Sequence, residues 1–295
     1  MDKKLAGIIA AVPTPIDTDN QPLLDEFINH CQWALNNGCD ALNVLGTTGE
    51  ANSQNVANRK AIMKVAAEKL DVSKLMVGTG LSDLATTTEL TLFANDLGYP
   101  VALILPPFYY NPVSDQGILD YFSTLDKALG YADIKIYLYN FPALSGVKFS
   151  VEVIKQLAQK MPHRIAGIKD SSGDIAYCSE IVKNVANFKV FPSNEVSVAD
   201  AKANGFAGCI SGSVNVTAPL AAKIWQGAAN KSELSAKIAE LRTEIASLPL
   251  IQVVKYLIGI REKSDNWQSV IAPLTNLTQA QIQQVKTIAS KLGYL

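Results

Sequence analysis

Three places in this 295-residue chain combine residue types that can work on a carbonyl compound. Lys169 closes the apolar run "RIAGIKD", Tyr139 stands near the end of "KIYLYNFP", and "ALNVLGTTGE" delivers the hydroxyls of Thr47 and Thr48 between Gly46 and Gly49. A lysine projecting from a strand end into a desolvated mouth favours its neutral amine, which can attack a carbonyl. A tyrosine on the neighbouring strand can shuttle protons to and from the imine that forms. Two hydroxyls with adjacent backbone N–H groups make a cradle for the carboxylate of a 2-keto acid, and the glycines, Gly49 among them, permit close approach. Each signal alone has a plainer reading: a snorkelling lysine, a rim aromatic, a turn whose hydroxyls satisfy its own backbone. Together they point to Schiff-base chemistry.

Other chemistries lack their residues. The only histidines, His30 and His163, lie far apart, whereas a catalytic zinc takes three protein ligands, often histidines, and a hydrolase triad needs a histidine beside its nucleophile. Cys31, Cys39, Cys178 and Cys209 form no C-x-x-C pair, which fits a reducing cytoplasm better than a disulfide or zinc framework. The stretch "GTGLSD" (78–83) begins like a dinucleotide fingerprint, but it lacks the third glycine and the acidic residue about 20 positions on. No phosphate-loop motif occurs. Lys and Arg number 26 against 27 Asp and Glu, a net charge of -1, so composition writes in no attraction to nucleic acid or anionic membrane. No apolar stretch reaches the roughly 18 residues of a membrane span. The start, "MDKKLAGIIAAVPTPIDTD", superficially resembles a secretory signal, but Pro13, Pro15 and Asp17 interrupt its apolar run, and a first strand is the better reading.

The elements that position these residues alternate along the chain. Short apolar runs at 7–12, 41–46, 74–80, 101–107, 135–142, 164–170, 188–193 and 208–213 read as strands, each followed by an amphipathic stretch. In "SVEVIKQLAQK", Val151, Ile154, Leu157 and Ala158 share a face and Ser150 is placed to cap it. Strands too apolar for a wet face imply a parallel sheet covered by helices. Eight such units predict an α/β fold of the (β/α)8 TIM-barrel type, with a doubly wound sheet as the alternative. The barrel is assigned to 1–222, and the helical remainder, 223–295, to a C-terminal extension packed on its outside. Loops after the strands gather at one end of such a barrel, and here they bring hydroxyls, tyrosines and one lysine.

The motifs "GTTGE", "YNFPALSG" and "GIKDSSGD", in this order on an eight-unit β/α chain, resemble those of the pyruvate-dependent class I aldolases. That superfamily includes dihydrodipicolinate synthase, N-acetylneuraminate lyase and 2-keto-3-deoxygluconate aldolase, and the resemblance runs from about residue 5 to the C-terminus. It implies that Lys169 forms the imine with pyruvate or a 2-keto acid, that Tyr139 moves protons, that Thr48 holds the pyruvate carboxylate, and that Thr47 links to Tyr139 by a hydrogen bond. It further implies that Tyr110, in "FYYNP", enters a neighbouring subunit's site in a homotetramer built of dimers, and that the carbonyl of Ile210 faces the imine. Ser171 joins the substrate-binding set. No cofactor or metal is implied beyond the covalent imine.

Within the superfamily, synthases generally carry an arginine two residues after the proline of Y-N-x-P, where it binds the carboxylate of aspartate semialdehyde. Leu144 stands there, and a leucine cannot make that charge-assisted fork. "YNFPALSG" is instead similar to sialic acid lyases and 2-keto-3-deoxy sugar acid aldolases. Sialic acid lyases usually have G-S-T-G-E, and their Gly-Tyr-Asp-Glu near the seventh strand is replaced here by Ser193-Asn194-Glu195 after Pro192. Asn194 and Glu195 are therefore candidates to bind a different polyol. The expected reaction is reversible cleavage of a 2-keto-3-deoxy sugar acid to pyruvate and an aldehyde. The alternatives are 4-hydroxy-tetrahydrodipicolinate (dihydrodipicolinate) synthase, N-acetylneuraminate lyase, a 2-keto-3-deoxy acid dehydratase and a non-enzymatic keto-acid-binding protein.

Overall fold

The computed structural model describes residues 5–295; residues 1–4, including the two lysines of the signal-like start, lie outside the described residues. The apolar run that follows is a strand, as expected. Eight strands recur: β1 (Gly7–Ala11), β2 (Ala41–Val44), β3 (Leu75–Gly78), β4 (Val101–Ile104), β5 (Lys135–Asn140), β6 (Ile165–Asp170), β7 (Lys189–Pro192) and β8 (Gly208–Ser211). Between and after them run α1 (Leu24–Asn36), α2 (Val56–Lys69), α3 (Leu84–Asp96), α4 (Asp115–Leu129), α5 (Pro142–Ser145), α6 (Val151–Lys160), α7 (Ile175–Asn184), α8 (Val198–Ala201), α9 (Val214–Trp225), α10 (Lys231–Ala246), α11 (Leu250–Glu262) and α12 (Gln279–Leu292).

The strands are parallel and pair in chain order, with β8 against β1. At the remaining seam the Ala207 N–H donates to the Val190 carbonyl at 2.9 Å, so the sheet is a nearly closed TIM barrel. Alternation along each strand divides the core in two. Ile9, Met76, Leu103, Tyr137, Phe191 and Ile210 fill the barrel interior, while Ile8, Val77, Ile104, Leu138, Val190 and Cys209 face the helices. Both faces are dry, which is why the strands read as near-continuous apolar runs.

β6 breaks that alternation once. The pairing of β5 with β6 runs Ile136 with Ile165 and then Tyr137 with Gly167, leaving Ala166 as an extra residue. An extra residue shifts the parity of everything after it, so Lys169 shares the inward face with its partners Tyr139 on β5 and Phe191 on β7. Without the insertion it would point at the helices. Gly167 is required here, because an added Cβ would lie 2.7 Å from the Lys189 carbonyl and 3.0 Å from the Tyr137 ring.

Helix starts follow the sequence closely. Asn55, Asp83, Ser114, Ser150, Asp174 and Thr278 each accept a backbone N–H at the first turn of their helix, each worth about 1 kcal/mol. α6 buries Val153, Ile154 and Leu157 and begins at Ser150 as expected. α9 continues to Trp225, so the boundary drawn after residue 222 falls within that helix and the extension begins at α10. The extension has its own core, in which Ile245, Val253, Leu257, Trp267 and Val285 pack with Val216 of α9. No single helix among the described residues is long and apolar enough to cross a membrane.

Candidate active site

The C-terminal ends of β2, β5, β6 and β8 meet at one mouth. On β5 and β6, Tyr139 and Lys169 are direct cross-strand partners. The Lys169 Nζ donates to the Tyr139 Oη at 3.4 Å and stands 4.4 Å from the centroid of its ring. The Tyr139 hydroxyl shares a second hydrogen bond with Thr47 Oγ1 at 3.1 Å. Lys169, Tyr139 and Thr48 are buried. The next residue on β6, Asp170, fixes this strand end. Its carboxylate accepts from Asn140 Nδ2 at 2.6 Å and from the Ser172 hydroxyl at 2.8 Å, and Asn140 Oδ1 in turn accepts the Phe149 N–H at 3.1 Å.

The turn after β2 is bracketed by two non-glycine residues in the left-handed region, Leu45 at φ 55° and Glu50 at φ 54°. For a branched residue such as Leu45 that conformation is costly and persists only where surroundings impose it. Gly46 and Gly49 serve close approach. A Cβ on Gly46 would lie 2.4 Å from Asn43 Nδ2, and one on Gly49 would lie 3.0 Å from the Val12 carbonyl. The Gly49 carbonyl accepts the Thr14 hydroxyl at 3.1 Å. Among the described residues the N–H groups of Thr47 and Thr48 and the Thr48 hydroxyl make no hydrogen bond, so three donors are free for a carboxylate. Gly212 at the end of β8 makes room for them, since a Cβ there would lie 3.0 Å from Thr48 Oγ1.

A cavity of about 500 Å³ joins these groups. Its wall includes Lys169, Tyr139, Thr47, Thr48, Ile210, Ser171 and Leu144, seven residues singled out from the sequence. A second hollow of about 400 Å³ opens on the other side of Thr47 and Tyr139, over the buried Arg59. Leu144 is 65% exposed and borders both.

Other expected residues stand elsewhere. Glu195 lies outside the cavity wall, because its carboxylate is wholly buried and already accepts from Ser211 at 2.6 Å and Thr217 at 2.9 Å. Asn194 caps the turn that follows, accepting the Val196 N–H at 3.0 Å, and it too is absent from the cavity wall. The polyol role expected of this pair is not served by that placement. Tyr110 is 83% exposed on a loop, its ring edge-on to that of Tyr109 at 5.2 Å, away from this chain's own cavity. Neither histidine reaches the mouth. His30 bonds Asn215 and Arg261, and His163 bonds Asp126. Among the described residues no group of three or more His, Cys, Asp or Glu is arranged to hold a metal ion.

Sequence reasoning missed the contribution of the extension, which is not merely packed outside. Arg242 of α10 and Leu250, Ile251 and Gln252 of α11 complete the cavity wall. Glu50 also acts differently from its neighbours in "GTTGE": it forms a fully buried ion pair with Lys255 of α11 at 2.6 Å and accepts the Ile271 N–H at 2.6 Å. Burial pushes the Lys255 ammonium below the ordinary lysine range, against the upward pull of Glu50. The signal for these tertiary partners was confined to one lysine and one arginine in otherwise amphipathic helices.

Comparison with known proteins agrees with this fold. The model of the dihydrodipicolinate synthetase family matches residues 4–292. An uncharacterised DapA-like lyase of Chloroflexus aurantiacus is 30% identical over 80% of this chain and 79% of its own. A 4-hydroxy-tetrahydrodipicolinate synthase of Methanococcoides burtonii is 31% identical over 84% of this chain and 82% of its own. The crystal structure of dihydrodipicolinate synthase from Agrobacterium tumefaciens superposes with a TM-score of 0.89 at 27% identity, covering 99% of both chains. The family model, matched along nearly the whole length of this barrel, places the chain in the dihydrodipicolinate synthetase family of pyruvate-dependent class I aldolases, as a carbon–carbon lyase.

Proposed function

We propose that the protein cleaves a 2-keto-3-deoxy sugar acid to pyruvate and an aldehyde, reversibly, through an imine on Lys169. The observation that carries the chemistry is the chain Lys169 Nζ, Tyr139 Oη, Thr47 Oγ1, linked at 3.4 and 3.1 Å, with Lys169 and Tyr139 buried at the base of the mouth. The amine attacks the keto carbon and water leaves, so the iminium becomes an electron sink. The bond between the third and fourth carbons then breaks. Its electron pair moves into the enamine, and the proton of the fourth-carbon hydroxyl passes to Tyr139. The free aldehyde departs, the enamine is protonated at the third carbon, and water hydrolyses the imine to release pyruvate. The free donors of Thr47 and Thr48 hold the substrate carboxylate. No metal or dissociable cofactor takes part.

Leu144 at the cavity edge stands where synthases generally carry an arginine, and this departure supports a sugar acid over aspartate semialdehyde. The exposed Tyr109–Tyr110 pair supports a homotetramer in which Tyr110 of one copy reaches the relay of another. Four buried, unpaired cysteines suit a cytoplasmic setting. The second reading, 4-hydroxy-tetrahydrodipicolinate synthase, is favoured by the name of the Methanococcoides relative.

The test is pyruvate release from a panel of 2-keto-3-deoxy sugar acids, with Lys169→Ala as control. Release that disappears in the variant supports the proposal. Silence across the panel, with turnover of pyruvate and aspartate semialdehyde instead, overturns it in favour of the synthase.

A further inference from the structure

The cavity wall contains two cationic side chains, Lys169 and Arg242, and no carboxylate. Arg242 is half-buried on α10 and uses Nη1 to donate to Ser213 Oγ at 3.2 Å. Among the described residues no acidic oxygen lies within 4.0 Å of its guanidinium. The nearest acid connected to it, Glu195, is reached only through Ser213 and Ser211, at 3.1 Å between their hydroxyls and 2.6 Å from Ser211 to the carboxylate. Arg242 is thus oriented by a hydroxyl while its remaining N–H groups have no protein anion to neutralise them. A planar guanidinium with unused donors in a partly desolvated wall is a carboxylate receptor.

Lys169 is consumed by the imine, and the pyruvyl carboxylate has its donors at Thr47 and Thr48, so Arg242 is left for the other end of the substrate. One fixed positive charge without a second cation matches a monoanion better than a phosphate dianion. Ser171 and Ser193 line the same wall and suit hydroxyl groups between the two ends. We infer that Arg242 is the specificity residue for the aldehyde half, and that this half ends in a carboxylate: the substrate is a 2-keto-3-deoxy sugar diacid. This rests on the sugar-acid aldolase reading and narrows it.

The experiment is run in the condensing direction with the full chain, pyruvate and three aldehydes: glyceraldehyde, tartronate semialdehyde and aspartate semialdehyde. The expected result is that kcat/KM for tartronate semialdehyde exceeds that for glyceraldehyde at least tenfold. Arg242→Gln brings that ratio close to one, through KM of the acid rather than kcat, and Arg242→Lys restores part of it. Borohydride trapping of pyruvate on each variant reports that the mouth is still formed. A ratio in the unaltered protein near or below one, or a ratio that Arg242→Gln leaves standing, overturns the inference. If only aspartate semialdehyde reacts, the sugar-acid reading falls. In that case an Arg242→Gln rise in its KM retains Arg242 as the carboxylate receptor, and an unchanged KM removes that role as well.

Discussion

The Glu50 carboxylate and the Lys255 ammonium lie 2.6 Å apart with neither side chain exposed, joining the turn that carries Thr47 and Thr48 to α11 of the C-terminal extension. The second Glu50 oxygen takes the Ile271 N–H, so one buried carboxylate fixes the turn after β2, a helix and a following loop. Removing one partner of a buried pair strands the other, at a cost of about 3–5 kcal/mol. Lys255→Met is expected to lower stability by that order and to weaken pyruvate binding, while Glu50→Gln combined with Lys255→Met costs less than the sum of the single changes. Chemical denaturation of the four proteins measures the coupling; strictly additive losses would contradict it.

Tyr139→Phe retains the ring beside Lys169 and removes the hydroxyl that meets both Nζ and Thr47. Pyruvate should still be trapped on the lysine, while turnover falls roughly a hundred- to ten-thousand-fold, the range of one acid–base group. Thr47→Val, which removes only the partner of that hydroxyl, should cost less. Equal turnover in Tyr139→Phe and the unaltered protein would assign the proton transfer elsewhere.

The irregularity in β6 yields a prediction at a residue that carries no side chain. Gly167→Ala places a methyl 2.7 Å from the Lys189 carbonyl and 3.0 Å from the Tyr137 ring, and overpacking of this kind costs about 1–3 kcal/mol. Relief requires the strand to shift where Lys169 is aimed. The variant should therefore lose imine formation out of proportion to its loss of melting temperature. A stable variant with unaltered trapping would show that the bulge does not set the lysine's direction.

His30 gives the acid limb of stability. The Arg261 guanidinium can only donate, so at 2.9 Å it makes Nδ1 the acceptor, and the proton sits on Nε2, donated to Asn215 Oδ1 at 2.8 Å. Burial, with Arg261 beside it, pushes the histidine down to about 3 from its ordinary 6.5. Between those values the unfolded chain binds a proton that the folded chain does not, so stability falls as pH falls. From pH 7 to 5 this group alone removes about 2 kcal/mol. His30→Gln should flatten that limb in pH-dependent denaturation, and an unchanged slope would place the titration on other groups.

The barrel was legible because its signals are local and periodic. Eight apolar runs sit where the strands form, and Ser150 caps α6 as its position suggests. Lys169, Tyr139, Thr47 and Thr48 could be brought together from their places at strand ends. What escaped depends on contacts across long sequence separations. Nothing in "RIAGIKD" announces that Ala166 is an extra residue, because a bulge exists only relative to its partner strand. Glu195 reads as a candidate polyol ligand until Ser211 and Thr217 are seen to enclose it. Arg242 carries no local signal of a role and joins the site only because α10 brings it to the cavity wall.

The most direct measurement of the central claim is borohydride reduction of the protein in the presence of pyruvate, followed by peptide mass mapping. The account predicts a single reduced pyruvyl adduct, on Lys169, absent from Lys169→Ala. An adduct on a different lysine, or none at all in a folded protein, would contradict it.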